Sequence, residues 1–226
     1  MMKRTKLCDR ALPVYSVGEE ITNTATHLIG GVLGVLALVL CVRKAALSRG
    51  AAEIAGAAIY GSCLVILYSV SSLYHGLRPG MAKKVLQVLD HCAIYFLIAG
   101  SYMPVVLCAI REVSPVRAWI LFGIIWGLVA LATTLTAVDL KKYSKFSMAC
   151  YIGIGWSIIL AVDIFLTAVP LPGILLLLFG GIAYTLGAVI YGIGKKTQKR
   201  YVHSIFHLFV ILGSVLQFFS ILLYIL

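Results

Sequence analysis

The 226-residue chain has few charges and very few acids: DEKR make up 12%, and only eight residues are Asp or Glu. A soluble domain carries roughly 25% charged and roughly 45–50% apolar residues. Here 62% are hydrophobic and mean hydropathy is +1.03. A soluble core of this size cannot hide so much apolar surface, so the chain reads as one dissolved in a lipid bilayer. Its six cysteines contain no CxxC and keep no regular spacing, so neither a disulfide framework nor a thiolate metal cage is indicated. They read as small apolar residues of helices. The basic stretch 1–10 lacks an apolar core, so no cleavable signal peptide is visible. No internal repeat stands out. The net charge of +11 does not point to nucleic acid, because the cations sit in short clusters between apolar runs. That is the pattern of loops at an anionic membrane face.

What the chain does have is long apolar runs. A helix needs roughly 20 such residues to cross the hydrocarbon core. Seven segments qualify: 23–42, 53–75, 85–110, 116–138, 146–169, 171–193 and 202–226. Pro170-Leu171-Pro172-Gly173 reads as a tight turn between the fifth and sixth. Loops are short throughout, which predicts one antiparallel bundle. The expected fold is therefore an all-α integral membrane protein, a seven-transmembrane-helix bundle over 23–226. It is preceded by an arm, 1–22, that includes an interfacial helix start. An odd helix count gives no direct support for a transporter built of inverted halves.

Charge predicts the orientation. Fourteen of the nineteen lysines and arginines fall on one side. They are Lys3, Arg4, Lys6 and Arg10 in the arm, Arg78, Lys83 and Lys84, Lys141, Lys142 and Lys145, then Lys195, Lys196, Lys199 and Arg200. The other side has Arg43, Lys44, Arg49, Arg111 and Arg117. The positive-inside rule then places the N-terminus in the cytoplasm and the C-terminus outside, in a multi-pass protein of the cell membrane. Gly30-x-x-x-Gly34 and Gly123-x-x-x-Gly127 allow close helix approach. They read as packing inside the bundle more readily than as a dimer seam, and the oligomeric state is left open.

Ionisable groups inside a membrane are costly and ask for a reason. With the orientation above, His27, His75, His91, His203 and His207 all fall at one membrane level, on four different helices. His203 and His207, four apart, share a helix face with Cβ atoms about 5–6 Å apart. Such a pair can hold a metal, and His75 is the candidate third ligand. Three imidazoles with one open position make a catalytic rather than a structural zinc site. The alternative is a set of amphipathic histidines at the headgroup level. Asp90 lies at the same depth, where it can hold a metal-bound water, accept its proton or orient a histidine. Otherwise it pairs with Lys83 or Lys84. Ser71 precedes His75 by four residues and can hydrogen-bond water or substrate, unless it bonds back to its own helix. Ser16 and Glu19 form a capping box. A helix starting there places Glu20, Asn23 and His27 on one face, lining the cytoplasmic mouth or simply solvated. Asp139 reads as paired with Lys141 and Lys142, and Asp163 receives no role.

These residues match a known pattern. Glu20-x-x-Asn23-x-x-Thr26-His27, Ser71-Ser72-Leu73-Tyr74-His75, Leu89-Asp90-His91 running into Ala99-Gly100-Ser101-Tyr102-Met103-Pro104, and His203-x-x-x-His207 occur in order along almost the whole chain. The chain resembles the bacterial hemolysin III proteins, within the progestin and adipoQ receptor superfamily that includes the adiponectin receptors. The resemblance implies a seven-helix bundle with its N-terminus inside. It also implies Zn2+ on His75, His203 and His207, with Asp90 reaching the metal through water and Ser71 nearby. Because the superfamily includes alkaline ceramidases, it suggests a lipid amide or ester hydrolase.

Three functions are thus in competition. One is a zinc-dependent lipid hydrolase acting in membrane lipid homeostasis, with membrane lipids as substrate. Another is a non-enzymatic receptor or regulator of lipid state with structural zinc. The third is a membrane-permeabilising, cytolytic protein, for which the chain offers little support. A retinal protein needs a lysine in its last helix, and 202–226 has none. A G-protein-coupled receptor expects its N-terminus outside.

Overall fold

The first helix starts at a reciprocal cap. The Ser16 N–H and Oγ–H both donate to Glu19 Oε2 at 2.9 Å, and the Glu19 N–H returns to Ser16 Oγ at 3.3 Å. This satisfies donors that a helix N-terminus otherwise leaves free. Helix α1 then runs Val17–Ser48, beginning ahead of the apolar run read from residue 23. In the computed structural model, which describes residues 5–48, 50–197 and 199–226, six more spans follow. They are α2 Ala51–Gly76, α3 Met81–Val113, α4 Pro115–Val138, α5 Ser144–Ala168, α6 Leu171–Thr197 and α7 Val202–Ile225. Lys3, Arg4 and Arg49 of the charge count lie outside the described residues, as do the side chains of Lys195 and Lys196. All seven helices are long and apolar enough to cross a membrane, and no strand occurs among the described residues. The chain is an all-α, multi-pass membrane protein.

Helix α3 is central. Within the protein, 78% of its apolar stretch is buried, against 50% or less for each other span. The surrounding helices turn apolar side chains outward, such as Val32, Leu36 and Val39 on α1 or Ile120 and Leu131 on α4. In water such a perimeter is an aggregation liability, whereas lipid tails solvate it. Gly30 and Gly34 seat α2 on α1: a Cβ at Gly30 meets the Tyr68 ring at 2.5 Å, and one at Gly34 meets Leu64 at 3.2 Å. Gly123 and Gly127 differ from the expected packing, with nothing within 4 Å. Helix α4 turns Ala118, Leu121, Ile125, Val129 and Ala132 inward, which leaves those glycines on its outer face.

Two spans are interrupted where the hydropathy is continuous. In α3, Pro104 lacks the N–H that would bond back one turn, and wide π-type turns follow over Val105–Ile110. Helix α5 is α-helical over Ser144–Gly155, tightens over Ser157–Ala161 and resumes over Val162–Ala168. Tyr102 of α3 causes the break. Its hydroxyl donates to the Gly155 carbonyl at 2.7 Å and accepts the Ile158 N–H at 3.0 Å, so a side chain is inserted into the helix ladder.

The arm preceding α1 folds under one end of the bundle. Asp139 accepts the Thr5 N–H at 2.9 Å and the Lys142 N–H at 3.1 Å, while Arg10 donates to the Val138 carbonyl at 2.9 Å. Asp139 therefore ties the arm to the α4–α5 loop through backbone donors, with no lysine side chain paired to it among the described residues. The Thr5 N–H is the largest influence holding its carboxyl below the ordinary range.

Candidate metal centre

His75 sits in the last turn of α2, and His203 and His207 in the first two turns of α7. The fold brings them together. His203 Nε2 lies 3.1 Å from His75 Nε2 and 3.1 Å from His207 Nε2. One ring nitrogen from each lies within 4.8 Å of the others. His75 and His207 are buried.

Hydrogen bonding assigns the tautomers of two of the rings. A carboxylate only accepts, so at 2.7 Å from Glu20 Oε2 the His75 Nδ1 carries the hydrogen. Thr26 Oγ1 donates to the Thr22 carbonyl at 2.9 Å, so it accepts from His207 Nδ1 at 3.1 Å. Both Nε2 atoms then present lone pairs to His203 Nε2. One N–H on His203 can meet only one of them; a divalent cation meets all three. Tetrahedral zinc with Zn–N near 2.0–2.1 Å sets its ligand nitrogens roughly 3.3 Å apart, within a few tenths of the 3.1 Å spacing seen here. The donor set fits such a metal.

The residues around this triangle are placed differently from a solvated mouth. Glu20 orients His75 and accepts Lys83 Nζ on its other oxygen at 2.6 Å. Lys83 also donates to the carbonyls of His75 and Leu77 at 3.2 and 2.8 Å. Asn23 is fully buried, with its Oδ1 accepting the Ser204 hydroxyl at 2.6 Å. His27 is also buried. It stacks on His207 with centroids 3.5 Å apart and an interplanar angle of 11°, and both its ring nitrogens are unpartnered among the described residues.

Asp90 is buried but does not pair with Lys83 or Lys84, because Lys83 serves Glu20 and Lys84 donates to the Cys8 carbonyl. Its ion-pair neighbour is His91 at 3.6 Å, and His91 Nδ1 bonds back to the Gln87 carbonyl at 2.9 Å. Ser71 does not bond back to its helix. Its Oγ is buried without a partner among the described residues, whereas its neighbour Ser72 donates to the Tyr68 carbonyl at 2.8 Å. Ser71, Asp90, His27, His203 and His207 all line one cavity of about 390 Å³, whose walls are otherwise mostly apolar. Unmet hydrogen-bonding capacity around a cavity marks where a polar ligand is accommodated.

Thr26, Lys83 and Tyr15 escaped notice as site residues. Thr26 lies between two residues already singled out, and that position was the available signal. Lys83 reads in the sequence as a loop cation or a partner of Asp90, not as the partner of Glu20. Tyr15 comes from the arm, where no periodicity marks it. Its ring stacks on His203 at 5.3 Å and 21°, and burial pushes its phenol pKa up. Glu19 adds a further tie from α1 to the start of α7 by accepting the Tyr201 N–H at 2.8 Å. Tyr201 adopts φ 60°, an uncommon conformation for a bulky residue, just before α7 begins.

The chain is similar to known proteins along most of its length. A family model described as haemolysin-III related matches residues 15–218. Hemolysin-3 of Bacillus cereus is 37% identical over 210 residues, covering 93% of this chain and 93% of that protein. The hemolysin-3 homolog of Bacillus subtilis (strain 168) is 34% identical over 211 residues, covering 93% and 96%.

Proposed function

The chain belongs to the haemolysin III family, within the progestin and adipoQ receptor superfamily, and on that premise we propose that it is a zinc-dependent hydrolase of lipid amides or esters acting in membrane lipid homeostasis. One observation carries the reading: two rings of a three-imidazole cluster, His203 and His207, line an apolar cavity together with a buried carboxylate and a buried hydroxyl that has no partner among the described residues. Zinc held by His75, His203 and His207 supplies Lewis acidity toward a carbonyl and a water that is acidic near neutral pH.

The chain's own residues do the rest. Asp90 accepts the proton of the attacking water. Ser71 donates its hydroxyl hydrogen to that water or to the developing oxyanion. Glu20 and Thr26 hold the His75 and His207 rings in the tautomer that leaves Nε2 free. The apolar walls take up the acyl chain and exclude bulk water. The charge asymmetry supports a cytoplasmic N-terminus, a centre near the cytoplasmic face and a substrate drawn from membrane lipids.

A second reading rests on a different observation. The three ligands and their hydrogen-bond partners bridge α1, α2 and α7, as a structural clamp in a lipid-state regulator would. Metal content of detergent-purified protein, wild type beside His207→Ala, is the deciding measurement. The expected result is about one zinc per chain, lost in a variant that still elutes as a folded species. The loaded protein then hydrolyses a ceramide, acyl amide or phospholipid in a chelator-sensitive way. Metal-free wild type, or full zinc occupancy in His207→Ala, sinks the reading.

A further inference from the structure

The cavity that begins at the histidines runs along one face of α7, through His203, His207 and Val210 to Gln217. Its polar wall groups divide sharply. In the shaft they are all satisfied within the protein. The Tyr102 hydroxyl stitches the break in α5. Ser101 bonds back to the Ile98 carbonyl at 2.9 Å, and Tyr151 donates to the His91 carbonyl at 2.8 Å. Trp156 donates to Thr185 at 3.1 Å, which donates on to the Gly181 carbonyl at 2.8 Å. Tyr184 pairs with the Ser214 hydroxyl at 2.8 Å.

Unmet capacity remains at two places. One is the histidine end, at Ser71 and His27. The other is Gln217 Oε1, which is out of contact with solvent and has no partner among the described residues. The Gln217 side chain lies against Gly180, where a Cβ would come within 2.8 Å of its Cγ. A glycine therefore makes room for the base of this side chain. A buried amide oxygen left without a partner inside a membrane protein is costly, so a ligand that completes it gains accordingly.

We propose that Gln217 is the distal anchor of the cavity and that it recognises a hydroxyl or amide N–H carried far along a ligand's aliphatic chain. Ten residues of continuous helix separate His207 from Gln217, about 15 Å at 1.5 Å per residue. An extended chain advances about 1.25 Å per carbon from its ~1.5 Å bonds, so the second polar group belongs about twelve carbons from the group at the histidines. A hydroxyl serves either orientation of the amide, since it both donates and accepts. The inference rests on the reading of the cavity as a lipid site with a metal at one end, and it narrows that lipid to a chain polar at two points.

The test is calorimetric titration of the detergent-purified full chain with dodecanoic acid and 12-hydroxydodecanoic acid, in wild type and Gln217→Met. Comparing the ratio of the two affinities between the proteins cancels the unequal partitioning of the probes into micelles. The wild-type ratio should favour the hydroxylated acid by about fivefold to tenfold over the ratio in the variant, as one completed buried hydrogen bond implies. Equal ratios, or no binding of either acid, overturn the proposal. Should Gln217→Met fail to fold, 6-hydroxydodecanoic acid against the wild type takes its place. It should lack the gain of the 12-isomer, and an equal gain overturns the proposal. Zinc is quantified on the same samples. Hydroxyl preference without zinc keeps the anchor and ends the hydrolase reading, whereas zinc without preference ends the anchor alone.

Discussion

The two ends of the bundle treat polar groups in opposite ways. At the end away from the arm, buried Glu53 pairs with Arg111 at 2.8 Å, Arg117 pairs with Asp163 at 2.5 Å, and Lys44 donates to the Leu222 carbonyl at 2.5 Å. Asp163, which the sequence left without a role, is part of that closure. At the histidine end, Glu19, Glu20 and Lys83 are equally well engaged, yet Ser71, both nitrogens of His27 and His203 Nδ1 are not. Those account for four of the eight buried, unpartnered side-chain atoms among the described residues. The far end is closed by pairing and serves the fold. The histidine end keeps capacity in reserve, as expected where a ligand completes the structure.

Three substitutions probe that contrast. Asp90→Asn, at the open end, should lower the turnover of any lipid substrate by about 10²–10⁴-fold while leaving the zinc content and thermal midpoint of purified protein unchanged. Retained turnover would return the centre to a clamp. Glu20→Gln replaces an acceptor-only group by one whose amide can face His75 with hydrogens. Zinc affinity, measured by competition with a chelator, should fall about 10–100-fold, and Glu20→Asp should recover part of it. An unchanged affinity would show that Glu20 does not orient the ring. Glu53→Gln, at the closed end, should cost about 1–2 kcal/mol of stability, less than a fully buried pair because Arg111 is partly exposed. Its zinc content should equal that of wild type. A loss of zinc there would show that the two ends are coupled rather than separate.

The seven spans are legible in the sequence because crossing a bilayer demands a run of apolar residues whatever the neighbours do. The breaks in α3 and α5 are not equally legible. Pro104 is a visible warning, but the interruption at Trp156 depends on a tyrosine hydroxyl arriving from another helix, and hydropathy carries no trace of it. The histidine triangle could be foreseen from i, i+4 spacing plus depth. The partner of each acid could not. Lys83 and Lys84 stand near Asp90 in sequence, yet helical geometry sends Lys83 across to Glu20 on α1 and Lys84 down to the arm. Likewise, helix phasing sets His27 on one face with Glu20 and Asn23, lining a mouth or solvated, and does not show that the ring lies flat on His207.

His75 and His203 stand 128 residues apart in the chain, and that separation has a consequence for biosynthesis. Helices are delivered to the membrane in the order of translation, N-terminal first. The first three, carrying Glu20, His75, Lys83 and Asp90, are delivered before the seventh is synthesised. Until α7 arrives, no cluster of three imidazoles exists, and Glu19 has no Tyr201 to hold. If the cluster holds a metal as proposed, its capture is the closing event of assembly, and a chain interrupted before residue 203 would lack two of the three ligands.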